Sequence, residues 1–497
     1  MNGMDAALAA LSVVAHLDNV LALALGVVIG VIVGAIPGMS ATMAVALSLP
    51  FTFTLDPIVG ILMLLGVYKG GIYGGSIPAI LIRTPGTPAS SCTVLDGHPL
   101  ASRGQAGKAL EMSLYASCIA DVISNLSLIL FAAWLAAFAL SFGPPEFFTL
   151  ILFSLTIIAG VAGDTLMKGL IAAGLGLLLA TIGLDLVYGT DRFIFGQADM
   201  MSGLNFIPVL IGLFAIPEIL LQCSSSPDDE GKMVALGHSH ATMADMRRCL
   251  KSILRGSVIG VIMGAIPGIG GAPSAFMSYG AARRASPDGD NFGKGELEGV
   301  AAAEAGNNGV CGATMIPLLA LGVPGDVITA VILGAFMVHG LQPGPLLFQQ
   351  NIVMIYSIFI GIMLSSVFLL IVGLVAIRIF RHVADIPKSI LMPSVLALCV
   401  FGTYAVNNTM FDVLVMFATG LLGYSMIRFG MPVAPFLIAF ILGPMLEDNF
   451  RQAMLMGRSD FAIFFRSPIT WFFWSLTLLS VGMMIWRGVR PVPAEVN

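Results

Sequence analysis

The chain has 497 residues, 57% of them hydrophobic and 10% charged, with a mean hydropathy of +0.96. A water-facing domain cannot bury that much apolar surface, so a soluble globular protein is excluded and an all-α polytopic membrane protein is expected in a lipid bilayer. The net charge of -5 offers no basic stripe to phosphates, which sets aside nucleic acid as a partner.

Six cysteines stand at Cys92, Cys118, Cys223, Cys249, Cys311 and Cys399 without a CxxC pair, so neither a disulfide framework nor a metal site is expected. No Lys or Arg precedes Lys69, and a cleaved signal peptide is not expected. Met1 to Asn19 is short and weakly amphipathic. Val20 to Ile36 is the first apolar run and is stopped by Pro37-Gly38; Ala41 to Phe53 is a second, shorter one. At about 1.5 Å per residue each arm covers roughly 20 Å, less than the roughly 30 Å hydrocarbon layer, which predicts a re-entrant hairpin. Pro57 to Val67 begins a helix that the spacing predicts to dissolve at Lys69-Gly-Gly-Ile-Tyr-Gly-Gly-Ser76, resume over Ile77 to Ile82 and stop at Thr84-Pro85-Gly86. Thr87 to Lys108 reads as a polar loop. Ala109 to Leu140, Phe147 to Ala162, Leu166 to Val187 and Leu204 to Leu221 read as ordinary spans.

A polar linker over residues 222–255 then separates a first membrane unit, 1–221, from a second, 256–497. It carries an acidic run ending at Glu230, then Arg247, Arg248, Lys251 and Arg255, which suits the cytoplasm. The second unit repeats the first. Val258 to Gly268 matches Val28 to Gly38 letter for letter except Met263 for Val33, and ends on Pro267-Gly268. A short arm, Ala272 to Ala282, follows, then Ala301 to Ala305, Gly306-Asn-Asn-Gly309, Met315 to Leu321 and Val323-Pro324-Gly325. Placing Ile316-Pro317 on Ile77-Pro78 also places Pro324-Gly325 on Pro85-Gly86, so two motifs recur in one order. Ile352 to Ile377, Ser389 to Val406, Phe411 to Ile427, Pro432 to Leu446 and Ile469 to Trp486 bring the expectation to about eleven or twelve membrane segments.

Arg283-Arg284, Arg378, Arg381, Lys388, Arg428, Arg487 and Arg490 can all face the cytoplasm together with the linker, whereas the first hairpin has no basic flank and suits the outer face. The expected architecture is two inverted-topology repeats with re-entrant hairpins and broken helices, as in secondary transporters, with one group of helices moving against a frame. A helix beginning inside the membrane points free N–H groups and partial positive charge at whatever lies beyond it, so anions suit such a place. Beside the breaks Pro37, Pro85, Pro267 and Pro324, the candidate substrate-binding residues are Gly38, Ser40, Thr42, Gly86, Thr87, Gly268, Gly270, Gly271, Ser274, Asn307, Asn308 and Gly325. The competing reading is that the glycines let helices pack and the amides cap a helix. Glu304, Asn307, Asn308 and Asp326 are candidates for ion coupling, against an amphipathic turn for Glu304 and a plain N-cap for Asp326. Arg83 is a possible counter-charge or a side chain snorkelling to the interface, and Asp121 with Asn125 reads as a tilted-helix end or a bundle contact in preference to a substrate role.

His238-Ser-His240 lacks further ligands at metal spacing. No GxxxxGK[ST] or HExxH motif occurs, so no nucleotide-driven pump, metal centre or enzyme is expected. The motifs Gly34 to Gly38, Tyr73 to Gly86 with Asp96-Gly97, Gly264 to Gly271, Phe292 to Gly295, Glu298-Gly299, Glu304 to Asn308, Pro317 to Gly325 and Gly340 to Pro345 resemble the large membrane subunit of tripartite tricarboxylate transporters, over nearly the whole chain. Lys69 and Arg83 depart from that pattern, in which an aromatic and an Asn are common. The resemblance implies a permease of the bacterial inner membrane for small di- or tricarboxylates. It also implies a small membrane subunit, a periplasmic substrate-binding protein and an ion gradient as driving force; the sequence leaves open whether sodium or a proton is the coupling ion and whether the complex is a homodimer. An anion channel or a non-transporting membrane scaffold is the opposing class.

Overall fold

A computed structural model describes residues 3–161, 166–185, 189–224, 234, 239–384 and 388–489. Of the linker, residues 225–233 and 235–238, with the acidic run and His238, lie outside the described residues, as does Arg490. The protein is an all-α polytopic membrane protein. Its first half runs α1 (Gly3–Val14), α2 (Leu17–Ala35), α3 (Ala41–Thr52), α4 (Pro57–Gly74), α5 (Ser76–Leu81), α6 (Ser90–Leu100), α7 (Ala106–Ala139), α8 (Pro144–Val161), α9 (Leu166–Ala180) and α10 (Phe206–Ser224). The second half begins with α11 (Met243–Ala265), α12 (Gly271–Ala285), α13 (Leu297–Asn308), α14 (Val310–Ala313), α15 (Met315–Leu321) and α16 (Val327–Val338). It ends with α17 (Pro345–Gln350), α18 (Ile352–Ala384), α19 (Lys388–Asn407), α20 (Met410–Arg428), α21 (Val433–Met456) and α22 (Pro468–Val489).

Among the described residues ten helical stretches are long and apolar enough to cross a membrane, and α1, α3, α9 and α16 are shorter apolar helices. Three expectations need correction. Thr87 to Lys108 is not a loop: α6 starts behind a reciprocal cap in which Thr87 N donates to Ser90 Oγ (2.9 Å) and Ser90 N to Thr87 Oγ1 (3.2 Å). Its polar letters serve buried contacts, since Asp96 accepts from Tyr279 Oη, Gly295 N and Glu296 N, each at 2.8 Å. The helix after Leu166 is short, because the chain leaves it at Thr181 for a two-residue antiparallel pair, Gly183–Leu184 with Asp191–Arg192. Ion pairs from Arg192 to Glu447 (2.7 Å) and Arg451 to Asp185 (2.5 Å) tie that pair to α21. Finally, Lys69 to Gly74 stays helical, and so do Gly306 to Asn308. Only Gly75, Gly309 and Thr314 interrupt the helices, Gly75 and Thr314 being set just ahead of Pro78 and Pro317, whose rings lack an N–H and crowd the preceding turn.

The glycines spare the helices and bring them together. A Cβ on Gly26, Gly30 or Gly34 of α2 would fall 2.1, 2.3 or 2.5 Å from the carbonyl oxygens of Met63, Val67 and Gly71 on α4. Gly66, Gly70 and Gly74 answer from α4, where a Cβ would fall 2.3 to 2.6 Å from carbonyl oxygens of α2. In the second half Gly256, Gly260 and Gly264 of α11 also lie close on α13 and α14, with Ala305, Gly309 and Val310 under 3 Å from such a Cβ. Without water between apolar helices, this backbone approach and its dispersion contacts drive association.

Helix α7 carries the buried polar groups. Lys69 of α4 is fully buried and gives its three N–H donors to Asp121 Oδ2 (2.7 Å), Asn125 Oδ1 (2.9 Å) and the Ile362 carbonyl of α18 (2.9 Å). Ser366 of α18 donates to the same Asp121 oxygen at 2.5 Å. Asp121 and Asn125 are thus the bundle contact their spacing suggests, joining three helices. Removing one partner strands the other charge in hydrocarbon, which costs about 3–5 kcal/mol.

Two stability outcomes follow for the detergent-solubilised protein, read by thermal unfolding. Lys69→Met lowers the midpoint sharply, and the K69M/D121N pair recovers most of the loss. Gly30→Ala destabilises by about 1–3 kcal/mol through overpacking, whereas Gly174→Ala, where a Cβ meets nothing within 4 Å, is neutral or better.

Candidate functional site

Four helices begin at one place. The stretches before α3 and α12 are the two Pro-Gly breaks, and their backbones agree: Ile36 and Ile266 are extended (φ -80, ψ 123 and φ -93, ψ 118), and Gly38 and Gly268 are left-handed (φ 82 and 88). The stretches before α6 and α16 agree likewise. Arg83 and Gly322 both have positive φ (61 and 72), and Gly86 and Gly325 press against Gly75 and Thr314. Asp326 then caps α16 as Thr87 caps α6. Its Oδ1 accepts from Thr329 N (2.7 Å), and Asp326 N donates to Thr329 Oγ1 (2.8 Å).

Between these N-termini lies a cavity of about 370 Å³. Ser40, Ala41 and Thr42 of the α3 start line it, with Thr87, Pro88 and Ala89 ahead of α6, Gly268 to Pro273 at the start of α12, and Asp326 to Ile328 at the start of α16. Ile158 and Val161 of α8 and Ala434 and Ile438 of α21 close it on the apolar side. No Lys, Arg or His is among its described lining residues. Each helix start brings partial positive charge from its backbone dipole, about half a unit, and Asp326 is an acidic lining residue among them.

The four ends are not equivalent. Ser40 Oγ accepts from Met43 N (3.1 Å), and α6 and α16 have the caps above, but α12 starts at Gly270 (φ 68) with no side-chain cap. Beside that open end Asn307 of α13 is buried, and neither its Oδ1 nor its Nδ2 has a hydrogen-bond partner among the described residues. A Cβ at Gly271 would sit 2.7 Å from Asn307 Oδ1, so only glycine leaves that amide open to the cavity. A buried carboxamide with two idle atoms is costly unless something binds it.

Ser40, Thr42, Thr87, Gly268, Gly270, Gly271, Asn307 and Asp326 therefore stand around one space. The remaining candidates stand behind it. Gly38 packs on Gln222 and Glu218 of α10, Gly86 on the Gly34 carbonyl, and Gly325 accepts from Gly268 N at 2.7 Å. Ser274 donates to the Gly306 carbonyl (2.7 Å) and positions α13. Arg83 is exposed and does not line the cavity. Asn308 points the other way from Asn307, donating to Ser117 Oγ (2.8 Å), and belongs with Glu304. Glu304 is fully buried and accepts from Ser76 Oγ (2.6 Å), Thr93 Oγ1, Ser117 Oγ (3.1 Å) and Asn308 Nδ2 (3.4 Å).

Sequence reasoning missed Tyr68, whose hydroxyl reaches Asp326 Oδ2 at 3.3 Å and Thr314 Oγ1 at 3.2 Å. It also missed the hydroxyl cage around Glu304. One signal was available: Ser113, Ser117, Asp121 and Asn125 recur every four residues along α7, a polar stripe that a lipid-facing helix would not carry.

A sequence profile of the tripartite tricarboxylate transporter TctA family matches residues 20–438. A protein of Agrobacterium vitis described as "Uncharacterized 52.8 kDa protein in TAR-I ttuC' 3'region" is 36% identical over 442 residues, covering 89% of this chain and 87% of its own. A second from that organism, "Uncharacterized protein in TAR-II ttuC' 3'region", is 34% identical over 231 residues, 46% of this chain and 96% of its own. No solved structure matches. The chain belongs to the tripartite tricarboxylate transporter TctA family and is the membrane component of such a transporter.

Proposed function

We propose that this chain is the translocating subunit of a secondary active importer of small organic di- or tricarboxylates in a bacterial inner membrane. The observation that carries this reading is the cavity where four helix N-termini meet an unpartnered Asn307. One substrate carboxylate sits at the open start of α12, taking N–H groups of Gly271 and Ala272 and the Asn307 amide. A second reaches Ser40, Thr42 and the start of α3, from the other half of the chain. Such a site holds an anion by preorganised dipoles without a fixed cation, so binding stays weak enough for release. Asp326 adds a negative charge at the rim, offset by the N-terminus of α16 that it caps and by the Tyr68 hydroxyl.

The two halves, 1–221 and 256–497, form inverted repeats joined by a cytoplasmic linker, with the α2–α3 and α11–α12 hairpins entering from opposite faces. Repetition of backbone geometry at both Pro-Gly breaks and at both cap pairs supports this arrangement. Alternating access follows when the helices carrying the hairpins shift as a group against a frame that includes α8 and α21, whose apolar side chains form the far wall of the cavity. A small membrane subunit and a periplasmic substrate-binding protein accompany it by family membership, and a sodium or proton gradient drives uptake.

Reconstituted with these partners, the chain accumulates at least one of succinate, malate and citrate saturably, and a collapsed ion gradient abolishes accumulation. Non-saturating flux that never exceeds equilibrium would identify a channel instead. Asn307→Ala raises the half-saturating concentration roughly tenfold or more, the loss of a hydrogen bond to a charged group, with unchanged abundance and thermal midpoint. For topology, single cysteines at Asp56 and Asp290, both exposed, react with an impermeant thiol reagent from opposite sides in a chain whose exposed Cys223 is replaced by Ser. Same-side labelling overturns the inversion.

A further inference from the structure

The two carboxylates buried along α7 have opposite surroundings. Asp121 has an ammonium at 2.7 Å and forms a neutral pair with Lys69. Glu304 makes no ion pair among the described residues, and its four partners are three hydroxyls and an amide, all uncharged. An unpaired charge fully buried at membrane depth is expensive, and groups so placed neutralise or mark an ion pathway. Of the two neutralising species, a metal ion needs room for several oxygen ligands around it. Here the hydroxyls bond the carboxylate directly, the Ser76 and Ser117 oxygens lying 2.6 and 3.1 Å from it, which leaves no such gap. A proton needs only that the neighbours reverse. Hydroxyls do so by rotating, so one cage satisfies both forms.

We infer that Glu304 is the proton-carrying group that couples carboxylate uptake to a proton gradient, held in a hydroxyl cage that accommodates both its charged and its neutral form. The inference rests on the transport reading above and names its coupling ion. In the protonation step a hydronium ion from the proton-rich side gives its proton to Oε1 and leaves as water, the carboxylate becomes a neutral acid, and its new O–H donates to Ser76 Oγ. Ser76 then turns its own proton to a backbone carbonyl of the preceding turn, as helix serines do. No other atom changes partner.

The link to substrate is geometric. Glu304 and Asn307 lie three residues apart on α13, neighbours on one helix surface about 5–6 Å apart between Cβ atoms. Asn308 joins Glu304 to α7. Thr93, which also holds Glu304, is on α6, whose start lines the cavity. An anionic Glu304 repels an anionic substrate across low-dielectric protein, and a neutral one does not, so proton and substrate favour each other's binding.

Other titratable groups lie on the elements packed against it. Tyr73 of α4 and Cys92 of α6 lie close enough to feel its charge. Cys118 of α7 lies within reach of the Lys69–Asp121 pair. Asp96 is held by Tyr279 of α12 and two backbone N–H groups. On α11, Arg248 pairs with Asp288 and Glu296, and Cys249 lies near Glu298.

The test compares the wild-type chain and Glu304→Gln, each reconstituted with the membrane and binding partners, using succinate, malate and citrate as probes. The variant is expected to keep substrate exchange between equal pools while losing tenfold or more of its accumulation driven by a pH gradient. Wild-type accumulation and pH dependence in E304Q would overturn the inference, as would wild-type uptake that a sodium gradient alone drives without proton movement. A second readout needs no transport. The infrared carbonyl band of a buried carboxylic acid is expected to titrate in the purified wild-type chain and to be absent in E304Q; a band that persists in E304Q, or that never forms, overturns it. Should E304Q fail to fold, Ser117→Ala decides. Removing a donor to the charged form shifts the band and the pH profile of uptake to higher pH, and an unchanged profile counts against the proposal. If none of the three carboxylates is taken up while the band titrates, the transport reading fails and the proton site stands.

Discussion

A backbone that stops being helical inside a bilayer has no water to turn to, and each unsatisfied N–H or carbonyl there costs several kcal/mol. This chain breaks its helices ahead of α3, α6, α12 and α16, and its central architecture follows from how the freed groups are satisfied. Three starts use a short polar side chain: Ser40 on Met43 N, Thr87 with Ser90, and Asp326 with Thr329. The fourth, α12, is left without a side-chain cap behind Gly270, beside an amide that also lacks a partner. The uncapped start and the unpartnered amide thus stand side by side at the wall of the cavity.

Holding four helix starts around one cavity requires helices that approach closely, and the glycines of α2, α4 and α11 provide that. Because Gly30 and Gly70 meet the opposing backbone with no Cβ between, the Pro-Gly break at the end of α2 is fixed against α4. Gly34 also underlies Gly86, which sets the start of α6 beside the start of α3. Rigid packing at these points and hydroxyl-rich contacts along α7 divide the labour. The first fixes distances, and the second keeps charge inside the membrane, either paired as Lys69 with Asp121 or caged as Glu304.

Much of this was legible in the letters. Duplication of Val28 to Gly38 at Val258 to Gly268 located the two breaks, and the pairing of Pro85-Gly86 with Pro324-Gly325 located the other two. Hydroxyls and glycines just beyond them, Ser40, Thr42, Thr87, Gly270 and Gly271, do line a single cavity. What misled were strings whose composition suits two roles. Glycines in Lys69 to Ser76 signal a broken helix as readily as a close-packed one, and in the fold they pack. The polar run Thr87 to Lys108 suggested a loop because Asp96 and Thr93 have no visible partner until α13 is laid against α6.

The sequence by itself determined the membrane class, the internal duplication and the positions where helices must stop, because hydropathy and the missing N–H of proline are local properties. Tertiary structure alone decided which polar groups are satisfied. Asn307 and Asn308 are adjacent letters of one kind, yet a helix turns successive side chains by about 100°, so one faces the cavity unpartnered and the other closes the cage around Glu304. Glu304 and Asp121 are likewise the same chemistry in the sequence. Only the folding of residues more than fifty positions apart gives one of them an ammonium and the other a ring of hydroxyls.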